Sequence, residues 1–95
     1  MTRQLEEITS RIVPVLRTRG VRRASVFGSR VRGEEHARSD LDLIVELAPK
    51  SSLLDLIALA QDLEDMLGLK VDLLTYNSLH PDLRDDILRE QVAIL

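Results

Sequence analysis

The sequence predicts an α/β fold, a small sheet of three to four strands with helices packed on one face. Two observations predict this fold. Apolar residues recur at helical spacing in three segments, and short apolar runs typical of strands lie between them. The order is helix, strand, strand, helix, strand, helix. The helical segments are 3–19, 52–67 and 81–90, and the strand-like runs are 22–27, 40–47 and 70–75.

The first helix is predicted to begin after Thr2, whose hydroxyl can cap the first turn. Pro14 lies inside the helix and lacks a backbone donor, so we expect a kink or a break near residues 10–11. The first strand follows and ends at Phe27. The apolar stripe of this helix is Leu5, Ile8, Ile12, Val15 and Leu16.

Ser51 or Ser52 is predicted to cap the second long helix, which should end before Gly68, and Ser52 forms a capping-box pattern with Asp55. Pro81 suits the first turn of the last helix, and residues 92–95 are predicted as a short fourth strand or a docked tail. Some leucines lie outside the core stripes and could contribute to a partner interface. The stripes are Leu53, Leu56, Ile57, Ala60, Leu63 and Leu67, then Leu83, Ile87 and Leu88; the spare leucines are Leu54, Leu59 and Leu79.

Composition limits the class of protein. A chain of 95 residues predicts one small domain, residues 1–95, and 44% hydrophobic residues suffice for its core. With one Phe, one Tyr and no Trp, aromatic stacking on nucleic-acid bases is disfavoured. The absence of cysteine excludes disulfides and thiolate metal sites. No apolar run approaches the roughly 20 residues of a membrane span, and no signal peptide is recognisable, so we expect a cytoplasmic protein without membrane contact.

Charge is unevenly distributed along the chain. Residues 1–38 contain nine Arg against four Glu, whereas residues 39–95 contain four basic residues against twelve acidic ones. Such asymmetry is typical of a basic phosphate site beside an acidic metal site. It is equally typical of two solvated surfaces of opposite charge, and charge alone does not distinguish the two.

Three aspartates form the first candidate site. Asp40 and Asp42 project from the same face of the second predicted strand, because strand side chains alternate between faces. Asp72 lies on the third strand and joins them if those two strands pair. Clustered carboxylates repel one another unless a cation lies between them, and Mg²⁺ prefers hard oxygen ligands. We therefore predict a magnesium site, with two ions suited to displacement at phosphorus.

The Gly28–Ser29 turn forms the second candidate site. A strand that ends in Gly-Ser, followed by a helical turn at 29–33, presents backbone N–H groups to an anion. Glycine lets a phosphate approach closely, and the serine hydroxyl adds a donor. Arg30 and Arg32 lie nearby and could neutralise phosphate charge. The sequence therefore offers both a phosphate cradle and a metal cluster.

Each feature has an ordinary structural explanation when taken alone. A Gly-Ser pair is usually a turn, an Asp-x-Asp pair is usually a solvated strand edge, and the two arginines are usually surface residues. We interpret His36 as part of a surface loop at 34–38 and His80 as structural, before a helix start. The combination of the two candidate sites, in this order and spacing, is far more specific than its parts.

The stretches "GSRVRG", "SDLDLIVE" and "KVDLL" resemble the minimal nucleotidyltransferase (MNT) family of the DNA polymerase β superfamily. The closing "LHPDLRDDILREQVAIL" is similar to the tail of that family, so the resemblance covers nearly the whole chain. It implies the polymerase β-like nucleotidyltransferase fold, with a small mixed sheet. The residues that carry it are Gly28, Ser29, Arg30, Arg32, Gly33, Ser39, Asp40, Asp42 and Asp72.

The resemblance also implies an activity. Members of that family transfer a nucleotide, most often AMP from ATP, with Mg²⁺. By this resemblance, catalytic and metal-binding roles would fall on Asp40, Asp42 and Asp72. Nucleotide binding would fall on Gly28, Ser29, Arg30 and Arg32. It further implies a HEPN-domain toxin as partner, neutralised by AMP attached to a tyrosine. Chains of this size have no second domain for the acceptor, which favours an acceptor site completed by another protein.

Three alternatives remain open from the residues. A non-catalytic binding module would neutralise a partner by contact alone, and the intact aspartates argue against it. A small-molecule nucleotidyltransferase would need an acceptor domain. A template-directed polymerase is least favoured, because the chain is acidic overall and has very few aromatic residues.

Overall fold

The computed structural model describes residues 2–33 and 40–95. The predicted loop at 34–38, with His36, and the motif residue Ser39 lie outside the described residues. The order of elements agrees with the sequence prediction. The elements are α1 (Arg3–Thr18), β1 (Arg23–Phe27), α2 (Ser29–Arg32), β2 (Leu41–Glu46), α3 (Leu53–Leu67), β3 (Val71–Thr75), a 3₁₀ turn (Tyr76–Ser78), α4 (Pro81–Glu90) and β4 (Val92–Ala93).

The four strands form one mixed sheet in the order β3-β2-β1-β4. β1 pairs antiparallel with both β2 and β4, whereas β2 and β3 are parallel and joined through α3. The prediction of a small mixed sheet with helices is confirmed. The short β4 confirms that the tail forms a fourth strand, since Val92 and Ala93 pair with Val26 and Ser25.

One face of the sheet packs against α1 and α3 and forms the core. In β2, Leu41, Leu43 and Val45 are fully buried on this face, as alternation predicts. The predicted break near residues 10–11 is wrong, because α1 continues through Pro14. Burial of its apolar stripe outweighs the roughly 3 kcal/mol cost of an internal proline. The helix residues of the core are Leu5, Ile8, Ile12, Leu16, Leu59 and Leu63.

The other face of the sheet is partly covered too. Ile44 and Phe27 are buried on it, and Gln91, just after α4, accepts a hydrogen bond from the Tyr76 hydroxyl at 3.4 Å. The end of α4 therefore lies against this second face, while α1 and α3 occupy the first. Packing on one face is thus confirmed for α1 and α3, and α4 adds a contact that the prediction did not include.

Two predicted helix stripes differ from the structure. Leu59, predicted as spare, is buried in the core, whereas Leu53 and Ile57 of the predicted α3 stripe are exposed. Leu83 of α4, predicted to point inward, is 57% exposed. Leu53 and Ile57 lie on the exposed side of α3, whereas Leu56, in its first turn, packs against the core. Leu54 is exposed as predicted.

The predicted helix starts are confirmed. Thr2 Oγ1 accepts from the Leu5 N–H at 3.1 Å, and Ser52 forms the reciprocal capping box with Asp55. His80 caps α4, where its Nδ1 accepts from the Asp82 N–H at 3.2 Å. Among the residues that the structure describes, no helix is both long and apolar enough to cross a membrane.

Candidate active site

The parallel pairing of β2 with β3 brings two of the three predicted aspartates together. Asp42 and Asp72 are direct partners in the register, and both project from the sheet face opposite the α1–α3 core. Asp40 precedes the first residue of β2. Lys70 approaches Asp72 at 4.0 Å, so this carboxylate has one nearby cation. The carboxylates thus lie at the N-terminal end of β2, which comes after the Gly28–Ser29 turn in the chain.

The environment of Asp42 is electrostatically unfavourable for its charge. Burial, the first cause, raises the pKa of Asp42 to about 6, and the Asp72 carboxylate adds to this through its charge and a hydrogen bond. The charge of Asp40 raises the pKa further, while the positive charge of Arg32 lowers it. A cation placed between these carboxylates would relieve the repulsion.

The chemistry of the donors fits a magnesium ion, since all three side chains offer hard carboxylate oxygens. Within residues 2–33 and 40–95, however, no three acidic, His or Cys side chains are gathered closely enough to hold one ion as they stand. Asp42 and Asp72 make the close pair, and Asp40 lies within reach of Asp42 by charge alone. The carboxylate pair is therefore the part of the predicted metal site that the fold assembles.

The repulsion predicts how stability depends on pH in the absence of divalent ions. Because the pKa of Asp42 is raised in the folded state, its stabilising contribution is present below about pH 4 and is lost as pH rises through about 6. We expect the free energy of unfolding to fall by about 1 kcal/mol over this range, after allowance for solvent screening. Urea unfolding at pH 4.5 and 7.5 in EDTA, compared between wild type and Asp42→Asn, isolates this contribution. Identical pH dependence in both proteins would contradict it.

Gly28 lies directly against Asp42. Its backbone has φ +82° and ψ −157°, a conformation that is nearly exclusive to glycine. A Cβ built on Gly28 would overlap Oδ2 of Asp42 and lie 3.2 Å from its Cγ. Glycine is therefore required here so that the turn and the Asp42 carboxylate can touch, which is a more direct reason than phosphate approach.

Gly28→Ala is expected to lower the free energy of unfolding by about 2 kcal/mol, because backbone strain and the collision with Asp42 act together. Thermal or urea denaturation measures the loss. The double variant Gly28→Ala/Asp42→Ala is the control, since it removes the collision and keeps the strain. Equal losses in both backgrounds would show that the contact with Asp42 is unimportant.

The two predicted arginines have different environments. Arg30 is 1% exposed, so its side chain lies inside the protein and is not offered to a ligand. Burial disfavours a direct contact between Arg30 and a nucleotide, and the role predicted for Arg30 stays a prediction. Arg32 remains at the surface beside the turn, with its side chain 46% exposed, and Ser29 begins α2 there. Of the predicted phosphate ligands, Gly28, Ser29 and Arg32 are thus brought together.

The sequence analysis missed one residue at this turn. The Glu90 carboxylate, at the end of α4, accepts a hydrogen bond from the Gly28 N–H at 2.8 Å and pairs with Arg32 at 3.1 Å. No local signal could have found it, because Glu90 lies 62 residues from Gly28 in the chain. An open groove of about 490 Å³ lies between the turn and α4, with Leu83 and Ile87 in its wall.

A larger groove, about 820 Å³, opens at the far end of β2. It is lined by Glu46, Leu53 and Tyr76, among others, and Arg23 stacks over the Tyr76 ring at 4.4 Å. None of the three aspartates lines it. The larger groove therefore lies at one end of β2, whereas the candidate site, formed by the carboxylates and the Gly28 turn, lies at the other end.

Known proteins resemble this chain in sequence. Residues 10–95 match the sequence profile of the family described as polymerase beta, nucleotidyltransferase. A Methanocaldococcus jannaschii protein that carries the name of a protein adenylyltransferase is 50% identical over 91 residues, which cover 96% of this chain and 98% of that protein. The protein adenylyltransferase MntA of Thermococcus cleftensis is 42% identical over 92 residues, 96% of this chain and 93% of the relative.

Solved structures share the fold. One described as a minimal nucleotidyltransferase superposes with a TM-score of 0.80 at 37% identity, over 94% of this chain and 91% of its own. A chain from a toxin–antitoxin structure with AMP-PNP gives a TM-score of 0.80 at 26% identity, over 92% of this chain and 72% of its own. The resemblance to minimal nucleotidyltransferases is confirmed in both sequence and fold.

Proposed function

The chain belongs to the polymerase β nucleotidyltransferase family, and from this membership we propose that it transfers AMP from ATP to a tyrosine hydroxyl of a HEPN-domain toxin and so acts as its antitoxin. The observation that carries the proposal is the contact of Asp42 with both Asp72 and Gly28, which joins carboxylates to a phosphate-binding turn. Relatives named as protein adenylyltransferases support AMP transfer to a protein. The toxin–antitoxin neighbour with AMP-PNP supports both an ATP-like substrate and a toxin as partner.

The Gly28–Ser29 turn and Arg32 have the role of binding the triphosphate. Ser29 offers a hydroxyl and a backbone N–H at the start of α2, and Arg32 brings a positive charge at the other end of the same turn. These groups hold the β- and γ-phosphates, so that the α-phosphorus lies towards the carboxylates. Orientation of this kind removes much of the entropy cost of the reaction.

The three aspartates have the role of holding Mg²⁺. Asp40 and Asp42 would hold the ion that accompanies the triphosphate, and Asp42 with Asp72 the ion near the acceptor. When bound, the ions supply neutralisation of the charge that develops on the attacking and leaving oxygens. The raised pKa of Asp42 supports this role, because a cation would relieve the repulsion among the carboxylates.

The chemical step forms one bond and breaks another. The tyrosine oxygen attacks the α-phosphorus, the bond from that phosphorus to the bridging oxygen breaks, and pyrophosphate leaves. Asp72 is positioned to take the tyrosine proton, because it reaches in from the neighbouring strand and its side chain is 45% exposed. A tyrosine hydroxyl has a pKa of about 10, so a carboxylate that accepts its proton assists the attack at neutral pH.

The test is label transfer. The protein is incubated with Mg²⁺, each α-labelled nucleoside triphosphate in turn, and the product of the neighbouring gene. We expect label on that protein from ATP, with loss of the label in EDTA and in a partner whose acceptor tyrosine is changed to Phe. Neutralisation of the toxin without any label would favour the contact-only binding module instead. Label on a small molecule but not on the protein would favour the small-molecule transferase.

Ser29 provides a direct test of phosphate binding by the turn. Ser29→Ala is expected to weaken Mg-ATP binding by about tenfold, because one donor to the triphosphate is removed from a charged hydrogen bond. The fold is expected to persist, since Ser29 is at the surface of the turn and only partly buried. Calorimetry with Mg-ATP measures the affinity, and Ser51→Ala, in the loop before α3, is the matched control. Equal affinity in the two variants would contradict the assignment of Ser29.

A further inference from the structure

Glu90 makes contacts that join two distant parts of the chain. Its Oε1 accepts from the Gly28 N–H at 2.8 Å, and its two oxygens accept from Arg32 Nη1 at 3.2 and 3.1 Å. Gly28 precedes α2 and Arg32 is its last residue, so one carboxylate binds both ends of the same turn. The Glu90 side chain is only 26% exposed, so water screens its charged hydrogen bonds less than it screens those of a fully solvated pair.

The backbone of Glu90 is fixed by the sheet. β4 begins two residues later, where Val92 pairs with Val26 of β1, the strand that leads into Gly28. Gln91, between them, contacts the Tyr76 hydroxyl at 3.4 Å. The end of α4 is thus held at the sheet by two further sets of contacts, which fix the backbone position from which the Glu90 carboxylate reaches the turn.

This geometry restricts Arg32. A free arginine side chain samples many rotamers, and ordering it costs conformational entropy. The bond to Glu90 orders the guanidinium before any ligand arrives and keeps it on the side of the turn that faces the carboxylates, where its charge acts on Asp42.

We propose that Glu90 is a positioning residue of the nucleotide site, which acts through Arg32 and the Gly28 N–H to hold the phosphate-binding turn in its binding conformation. The inference rests on the proposed function, because it presumes that this turn binds triphosphate. It assigns to α4 a role in nucleotide binding that neither the aspartates nor the Gly-Ser turn implies.

The opposite role for the same contact is that of a competing anion. In that case the triphosphate would have to displace Glu90 from Arg32, and removal of the carboxylate would strengthen ATP binding. The pairing of β4 keeps the Glu90 backbone beside the turn, and the Gly28 N–H bond at 2.8 Å gives the carboxylate a second partner that a competing triphosphate would also have to displace. Both contacts favour positioning. The two roles predict changes of opposite sign in affinity, so one measurement separates them.

The experiment is a double-mutant cycle on Mg-ATP affinity, measured by calorimetry on wild type, Glu90→Ala, Arg32→Ala and the double variant. We expect Glu90→Ala alone to weaken binding by about tenfold, and to have little further effect once Arg32 is removed. In steady-state transfer, KM for ATP rises while kcat at saturating ATP changes little. Glu90→Gln, which keeps an acceptor for the Gly28 N–H, restores part of the affinity. Asp86→Ala is the matched control, because Asp86 lies one turn earlier on α4 and pairs with Arg89 instead.

An independent measurement needs no nucleotide. In wild type the Gly28 amide is hydrogen-bonded, so its hydrogen exchange by NMR should be slowed relative to Glu90→Ala and unchanged in Asp86→Ala. Tighter Mg-ATP binding in Glu90→Ala, or losses that add fully with Arg32→Ala, would overturn positioning. Equal Gly28 exchange rates in wild type and Glu90→Ala would overturn it as well. If wild type fails to bind Mg-ATP while Gly28 exchange responds to Glu90, it is the proposed function that fails.

Discussion

Asp72→Asn is expected to reduce AMP transfer by about a thousandfold or more, because the step loses both a metal ligand and the group that takes the acceptor proton. Binding of Mg-ATP should remain within a few-fold of wild type, since Asp40 and Asp42 still hold the ion that accompanies the triphosphate. The distinctive result is therefore a loss of kcat with retained nucleotide affinity. Single-turnover transfer and calorimetry on the same preparation measure the two quantities.

Glu46→Gln is the control for this experiment. Glu46 lies at the end of β2 and pairs with Arg23 at 3.3 Å, away from the aspartates, so its substitution should leave both quantities unchanged. Transfer by Asp72→Asn at near the wild-type rate would exclude the proposed role of Asp72. Transfer by wild type in EDTA would exclude the role of divalent ions.

Asp42→Asn should abolish transfer and, unlike Asp72→Asn, should also remove the stabilisation that Mg-ATP gives. Asp42 is the member of the cluster that touches both Asp72 and Gly28, so its carboxylate would serve both ions. Without metal the variant should melt at or above the wild-type temperature near pH 7.5, because it no longer places a charge beside two others.

Thermal melts with and without Mg-ATP test this second expectation. A metal-free Asp42→Asn protein that melts well below wild type would show that the carboxylate is needed for folding. Retained thermal stabilisation by Mg-ATP would show that the triphosphate ion is held elsewhere. The double variant Asp42→Asn/Asp72→Asn should lose little more activity than either single variant, since the residues act as one unit.

The elements were predictable because their signals are local. Apolar periodicity, the Thr2 cap and the Ser52–Asp55 capping box each lie within a few residues of the structure they determine. The meeting of Asp42 with Asp72 was predictable only on condition that β2 and β3 pair, which the βαβ order favours. The side chains of α4 were not predictable, because its apolar positions, such as Leu83, indicate a face but not how deeply that face is buried.

The side chains of the candidate site were also only partly predictable from the sequence. Arg30 and Arg32 are two residues apart on a helical turn and so point in nearly opposite directions, about 200° apart. Sequence cannot tell which one points inward; the fold buries Arg30. Glu90 was beyond reach for a different reason, since its contact with Gly28 depends on the docking of a whole helix. Long-range contacts of this kind are set by tertiary packing and leave no spacing pattern in the chain.

The wide sequence separation of these contacts has a consequence for biosynthesis. Chains emerge from the ribosome N-terminus first, and segments fold as their partners become available. β1 and β2 can bring Gly28 to Asp42 early, but Asp72 arrives only after α3 has been made, and Glu90 only as the last residue of α4. We expect a nascent chain that has exposed only β1 and β2 to be unable to hold nucleotide. Until α4 has emerged, the Gly28 turn therefore lacks the carboxylate that binds it.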